Sequence, residues 1–404
     1  MRVLIFSQYF SPEVGATQTR VHTFAAGLAH RGHDVDVVCE VPNHPQGIVH
    51  AGYEGRILRR RRVDGFTAWH VWVRTSRVKT MRTRLEFYGS YTVMASVFGS
   101  LAGRPDVVLA SSPPLPVAVA AAVVARRFGV PWVLDVRDLW PEAAVAMGEL
   151  SNERLLRLAE RLERRLYASA SGITAVTEPF RRAIEAKIGA TEKVSVIPNG
   201  TTRFWVEGAD LEVDRADVGL PDDRFVWTFA GNIGVAQGLE AAVAAAGRLG
   251  EGFHLLILGD GPARAALERR AAELSAPVEF RGQVQPTEAR RILRASDALL
   301  VSLRADPVLE AFVPSKLFDC CAVGRPVVLA AAGEPWRLTE AAGATLNVPP
   351  GDPTALADAV RSLREGPVLA ASLATAARGF GAAHLRDGGV VALEERLSAV
   401  LNGR

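Results

Sequence analysis

Lysine, cysteine and methionine are all scarce in these 404 residues: four, three and four of each. Cysteines 39, 320 and 321 form no C-x-x-C pair, so neither a disulfide-stapled scaffold nor a thiolate metal site is expected, and a reducing cytosol suits them. No H-x-x-x-H or Cys/His spacing offers metal ligands, and neither a G-x-S-x-G elbow nor a Walker-type loop is present. The opening Met-Arg-Val-Leu-Ile-Phe-Ser is too short an apolar run for a signal peptide. Val107 to Ala125 contains no charge, but Ser111, Ser112, Pro113, Pro114 and Pro116 interrupt it. It therefore reads as a strand, a loop and a buried helix rather than a membrane span.

The four lysines stand at 79, 187, 193 and 316; the other 43 of 47 basic residues are arginine. A lysine at 316 in such a chain points to a position that needs a compact ammonium. Apolar content of 49% and charged content of 23% belong to a folded soluble protein, and the length exceeds one ordinary core, so two domains are expected. Net charge is only +3 but uneven. Between Arg56 and Arg84, ten cations (Arg56, Arg59, Arg60, Arg61, Arg62, Arg74, Arg77, Lys79, Arg82 and Arg84) face Asp64 alone. Trp69, Trp72, Phe87, Tyr88 and Tyr91 lie among or just after them. That mixture suits an anionic membrane surface, although a solvated arginine face would read the same way. No nucleic-acid motif matches, and nucleic acid is not an expected partner.

Apolar runs predict strands at Val3–Phe6, Val35–Cys39, Val107–Ala110, Trp132–Val136, Gly172–Val176 and Val194–Ile197, with helical stretches between them. Pro198-Asn199-Gly200 ends this series. A second series follows: Phe225–Ala230, Leu255–Leu258, Val278–Phe280, Ala298–Ser302, Val327–Leu329 and Leu346–Val348. Two sets of βαβ units imply two doubly wound parallel sheets, spanning residues 1–200 and 201–385, with the final helix near 386–404 folding back on the first. Ligands of such sheets bind beyond the carboxyl ends of the strands, so the loops there carry the chemistry.

Four loops stand out. Gly15, Ala16 and Thr17 precede the first helix, where small residues let backbone N–H groups approach a phosphate or sugar. Asp138, in Asp135-Val136-Arg137-Asp138-Leu139-Trp140-Pro141, is placed to receive an acceptor hydroxyl. Gly231, Asn232 and Gly234 open the second domain's first loop, and Gly259 and Gly261 close its next strand; both suit phosphate or nucleoside contact. Most informative is Glu310 to Val327, in which Glu310, Lys316 and Asp319 surround a helix start, with Pro314 before it and Ser315 as the expected N-cap. A helix N-terminus with an added ammonium suits a diphosphate, and the carboxylates suit sugar hydroxyls. A capped amphipathic helix with a solvated lysine is the alternative.

Read together, these loops resemble the retaining two-domain glycosyltransferases of family 4, above all those that build bacterial O-antigen, capsule and exopolysaccharide. The resemblance rests on Ser7-Gln8-Tyr9-Phe10-Ser11-Pro12-Glu13, Arg31-Gly32-His33-Asp34-Val35, Pro42-Asn43-His44-Pro45-Gln46-Gly47, Asp138-Leu139-Trp140-Pro141-Glu142, Pro198-Asn199-Gly200, Gly231-Asn232-Ile233-Gly234, Gly259-Asp260-Gly261-Pro262 and Val313-Pro314-Ser315-Lys316, in order along nearly the whole chain. It implies the GT-B fold, in which two Rossmann-like α/β domains face a cleft. It implies metal-independent, cofactor-free transfer of a hexose or N-acetylhexosamine from a UDP-linked donor to a lipid-linked or polysaccharide acceptor, by a cytoplasmic enzyme resting on the inner face of the membrane.

By the same resemblance, Asp138, Glu310 and Lys316 are catalytic. Gly231, Asn232, Gly234, Gly259, Gly261, Ser315, Lys316, Leu317 and Asp319 hold the donor, with Lys316 on the diphosphate and Asp319 on the ribose. Gly15, Ala16, Thr17 and Asn199 form a phosphate or acceptor loop. Two departures stand out. Glu310 and Asp319 are one residue further apart than the family's usual pair, with Asp in place of Glu. Asn232 and Gln237 replace a frequent Arg and Lys, leaving the diphosphate to Lys316, helix N-termini and Arg304. A sugar-nucleotide epimerase of the same fold, or a non-catalytic binding subunit, are the alternative readings.

Overall fold

The computed structural model describes every residue except Val14, Pro45, Lys79, 147–151 and Arg404. Lys79 of the basic stretch and Pro45 of the quoted motif therefore lie outside the described residues. The chain forms two compact units, Met1–Pro198 with Arg386–Arg404, and Asn199–Leu385.

The first unit is built on eight strands: β1 (Arg2–Phe6), β2 (Asp34–Glu40), β3 (Leu58–Val63), β4 (Phe66–Val71), β5 (Val107–Ser112), β6 (Trp132–Val136), β7 (Gly172–Ala175) and β8 (Val194–Val196). Their order in the sheet is β3-β4-β2-β1-β5-β6-β7-β8. All pair in parallel except β3 with β4. Helix α1 (Ala16–His30) and the C-terminal helix (Arg386–Leu401) cover one face. There Val390, Leu393 and Leu397 join Val3, Ile5, Val21 and Phe24 in one core. Each fully buried side chain of this kind stabilises by roughly 1.5–3 kcal/mol. Helix α2 (Met81–Leu101) packs on α3 (Pro116–Phe128). Gly99 admits the Phe6 ring there, since a Cβ would stand 2.6 Å from it.

Strands β3 and β4 are not anticipated by the apolar runs. The arginines at 59–62 lie on an edge strand whose antiparallel partner supplies the apolar side chains Phe66 and Ala68. The turn between them is Asp64-Gly65, both at positive φ (44° and 86°), a geometry that suits tight hairpins. The pleat also divides the basic run. Arg59 lies over the Tyr53 ring and Arg61 bonds the Tyr53 hydroxyl, whereas Arg60 lies over Trp69. The four arginines therefore do not form one charged patch.

The second unit holds β9 (Phe225–Ala230), β10 (Phe253–Leu258), β11 (Val278–Gly282), β12 (Ala298–Ser302), β13 (Val327–Ala330) and β14 (Leu346–Val348), in the order β11-β10-β9-β12-β13-β14, all parallel. The strand order turns back between β9 and β12. The loops leaving those two strands flank a topological switch point, where open α/β sheets bind ligands.

Candidate functional site

Gly231 follows β9 with φ 141°, and Gly259 follows β10 with φ 132°. A Cβ at Gly231 would stand 2.6 Å from Lys316 Nζ, and one at Gly259 would stand 1.9 Å from the Gly231 carbonyl oxygen. Both positions therefore exclude a side chain by conformation and by space. Backbone bonds lock the two loops together: Gly231 N–H donates to Leu258 O (2.9 Å), and Ile233 N–H donates to Asp260 O (2.9 Å). Asn232 is exposed on this platform, and the partly exposed Gly234 and Gly261 back onto its side chain: a Cβ on either would meet it within 3 Å.

Lys316 reaches this platform from the helix Ser315–Ala322. Its Nζ donates to Gln237 Oε1 (3.1 Å) and lies 3.9 Å from the centre of the Phe229 ring. The ring and the amide oxygen each offer electron density to an ammonium, but neither carries a full charge. Burial pulls the pKa of Lys316 down to about 8, a little opposed by Cys320. Gln237 stands where the family pattern often has lysine; here it accepts a hydrogen bond from the cation instead of repelling it.

The helix starts one residue away from the expected cap. Pro314 occupies the N-cap position in an extended conformation (φ −61°, ψ 129°), no side chain caps the helix, and Ser315 is its first residue. Proline lacks a capping hydroxyl, so the first turn keeps N–H groups without a side-chain partner. Leu317, expected beside the donor, has its side chain in the core and its N–H on Pro314 O (3.0 Å). It therefore packs the helix rather than lining a ligand surface. Asp319, expected on a ribose, accepts a bond from Thr201 Oγ1 (2.8 Å). The Thr201 N–H in turn donates to His384 O (2.9 Å).

Glu310 is exposed on the short turn Leu309–Ala311 after β12, at the edge of a cavity of about 250 Å³ also lined by Leu303, Arg304, Asp306 and Pro350. Gly333 backs it closely, since a Cβ there would lie 2.6 Å from Glu310 Cβ. Arg304 is paired with Asp306 (2.7 Å) and its N–H donates to Ala236 O (2.9 Å). The structure thus links Gly231, Lys316, Gln237, Arg304 and Glu310 along one strand-end rim, while Asp319 sits a turn further along its helix on Thr201.

The first unit gathers a second set of polar groups at its strand ends. Asp135 is fully buried at the end of β6 and accepts bonds from Arg20 Nη2 (2.9 Å), Arg20 Nε (3.1 Å), Ser111 Oγ (3.1 Å) and Thr174 Oγ1 (2.8 Å). Burial drives its pKa upward, but Arg20 and Thr174 outweigh that and hold it below the ordinary carboxylate value. Arg137 donates to Ser111 Oγ (2.9 Å), Pro113 O (2.7 Å) and Thr17 Oγ1. The first turn of α1, with an extended Gly15 as its uncapped N-terminus and Ala16 as its first residue, is thereby tied to Asp138's neighbour. Asp138 itself is only partly exposed, and burial raises its pKa against the opposing charge of Arg137. A carboxylate so shifted is a better base than a solvated one. Asn199 belongs to the second unit, unlike Gly15, Ala16 and Thr17.

Sequence reading passed over Arg20, Ser111, Thr174, Phe229 and Thr201. Arg20 left one signal: a cation beside Val21 and one turn before Phe24 on the buried side of α1 needs a buried carboxylate. Among the described residues, no group of three His, Cys, Asp or Glu side chains is placed to hold a metal ion.

Comparison with known proteins agrees with this geometry. A glycosyl transferase 4-like domain matches residues 15–200, and a glycosyl transferases group 1 domain matches residues 224–365. WcaI of Escherichia coli K12, a glycosyl transferase named for colanic acid biosynthesis, is 29% identical over 82% of this chain and 83% of its own length. The lipopolysaccharide core biosynthesis glycosyltransferase LpsD of Rhizobium meliloti is 29% identical over 50% of this chain and 56% of its own. Among solved structures, the sucrose-phosphate synthase of Thermosynechococcus elongatus superposes with a TM-score of 0.76 at 17% identity, covering 100% of both chains. Anabaena HepE in complex with UDP superposes with a TM-score of 0.73 at 17% identity, covering 99% of this chain and 100% of its own. The chain, with its 4-like domain followed by its group 1 domain, belongs to the glycosyltransferases of family 4, which have the GT-B fold.

Proposed function

We propose that the protein transfers a hexose or N-acetylhexosamine, with retention at the anomeric carbon, from a UDP-linked donor to a lipid-linked or polysaccharide acceptor on the cytoplasmic side of the membrane. The observation that carries this reading is Lys316: a cation with no carboxylate partner among the described residues, held under the Gly231 loop at an uncapped helix start. Such a charge neutralises the diphosphate as the bond from the anomeric carbon to the β-phosphate oxygen breaks, the point at which negative charge grows. The same-fold HepE has been solved with UDP and with UDP-glucose, which supports a UDP-linked donor.

Retention follows if the acceptor oxygen attacks from the face the phosphate leaves. The acceptor proton then passes either to the departing phosphate oxygen or to Asp138, whose raised pKa equips it to take one. Glu310 lies beside the cavity on the donor rim, where it is placed for the transferred sugar's hydroxyls. Asp319 reaches a ribose only by sharing or releasing Thr201.

A transfer assay with several UDP-sugars, read by NMR of the anomeric proton, tests the reading. Donor-dependent product with the donor's own anomeric configuration supports it. Conversion of the donor to another sugar nucleotide without any acceptor marks an epimerase instead, and UDP binding with no turnover of any donor marks a binding subunit.

A further inference from the structure

The first unit has a switch point of its own. Its strand order turns back between β1 and β5, so the loops leaving those strands flank the place where an open α/β sheet takes a ligand. The loop after β1 is laced to the loop after β2. Glu40 N–H donates to Gln8 O (3.1 Å), and the N–H groups of Asn43 and His44 both donate to Glu13 Oε1 (2.7 Å each). Glu13 is buried, so these bonds hold with little competition from bulk water.

The lacing brings two aromatic rings together. Tyr9 and the exposed His44 lie 5.4 Å apart, centre to centre, tilted by 59°. The Tyr9 hydroxyl is hydrogen-bonded to Tyr88 of α2, and burial pushes its pKa well above the ordinary phenol value. With that hydroxyl engaged, the half-buried Tyr9 offers its ring rather than its polar tip. Beside it in the chain, Gln8 is 1% exposed, and neither its amide nitrogen nor its amide oxygen has a partner. An unpartnered buried amide is a cost that a group with both a donor and an acceptor relieves, and a sugar hydroxyl is such a group.

Arg137 connects the rings to Asp138. Burial lowers its pKa, and Asp138, Asp135 and the Tyr9 hydroxyl are all near enough to oppose that shift. The neighbourhood is acidic on balance: Glu13, Glu40, Asp135 and Asp138 stand against Arg20 and Arg137. Both guanidiniums already serve protein oxygens, Arg20 on Asp135 and Pro198 O (3.1 Å), Arg137 on Ser111 and Pro113 O.

We infer that the acceptor presents a pyranose ring, stacked by its C–H face on Tyr9 and His44, with the reacting hydroxyl directed to Asp138. Charge decides between acceptor classes: a phosphate oxygen would meet more carboxylates than guanidiniums here, whereas a sugar hydroxyl is neutral. The hydroxyl oxygen forms the new bond to the anomeric carbon, its proton passes to Asp138 or to the departing phosphate, and UDP leaves. The inference rests on the transfer reading and names the class of its acceptor, from residues of the first unit alone.

Saturation-transfer NMR of the full chain, with UDP present, tests it on methyl pyranosides (glucoside, galactoside, N-acetylglucosaminide and fucoside) beside dimethylallyl phosphate. At least one pyranoside is expected to take up saturation at its ring C–H protons, and dimethylallyl phosphate none. Tyr9→Ala should cut that saturation about fivefold, the scale of one lost aromatic contact, whereas Tyr9→Phe keeps it. His44→Ala, at an exposed position, serves if Tyr9→Ala does not fold, and should lower the saturation in the same way. A panel in which no pyranoside responds beside bound UDP overturns this inference alone, as does saturation left unchanged by both alanine variants. A response of dimethylallyl phosphate that Tyr9→Ala removes overturns it by naming a phosphate acceptor. Failure of UDP to bind the wild-type chain would instead sink the transfer reading on which it rests.

Discussion

The two units hold their strand-end cations in opposite ways. In the first, Arg20 is sealed against Asp135, and Arg137 spends its donors on Ser111, Pro113 and Thr17. In the second, Lys316 has one amide oxygen and one aromatic face. A guanidinium with a fork of donors suits a fixed internal network, and a compact ammonium with no carboxylate partner among the described residues suits a charge that arrives and leaves. The arginine-rich composition makes the contrast sharper: the position proposed to meet the diphosphate carries one of only four lysines.

The contrast breaks most visibly if the first network is cut. Arg20→Ala leaves Asp135 buried without its partner, and stability should fall by about 3–5 kcal/mol, read as a large drop in denaturation midpoint. UDP affinity of the fraction that remains folded should stay unchanged; a matching loss of affinity would mean that Arg20 serves the ligand as well. Lys316→Ala has the reverse signature. UDP binding should weaken by roughly 1–3 kcal/mol, the scale of a lost charge-assisted hydrogen bond, while the fold survives. Replacing the same residue by methionine should make the ligand-free protein more stable by about 1–2 kcal/mol at neutral pH, because burying the ammonium costs free energy that a thioether does not. The sign has a pH signature too. A lysine with a folded pKa near 8, below its unfolded value, opposes folding while charged, so stability should rise as pH climbs from about 8 toward about 10. UDP affinity should fall over that same window. The smallest expected effect is on metal removal: activity should persist in EDTA, since Lys316 and the uncapped helix start supply the charge. Full loss restored by magnesium or manganese would assign that task to a metal.

Both sheets were legible because a parallel strand covered on two faces needs an unbroken apolar run, and runs such as Val107–Ala110 and Val327–Ala330 are just that. The hairpin β3–β4 was hidden because Leu58-Arg-Arg-Arg-Arg-Val63 has no apolar period; it is a strand through its pairing with β4, and Asp64-Gly65 was its only local mark. At the strand-end rim of the second unit, Lys316 and its glycine platform could be picked out by residue type, since a rare lysine and repeated glycines each have few uses. Asp319 could not, because its bond to Thr201 joins positions 118 residues apart. The helix start differed by one residue for a local reason: Pro314 fills the cap position that Ser315 seemed to own.

The most direct test of the central claim is titration calorimetry of UDP into the wild-type protein and Lys316→Met, at about pH 7 and about pH 9, on either side of the lysine's pKa. The account predicts clear binding by wild type at the lower pH, weaker binding at the higher one, and weak, pH-insensitive binding by the variant. Equal affinity of the two proteins at the lower pH would contradict it and leave Lys316 as a packed residue of the fold.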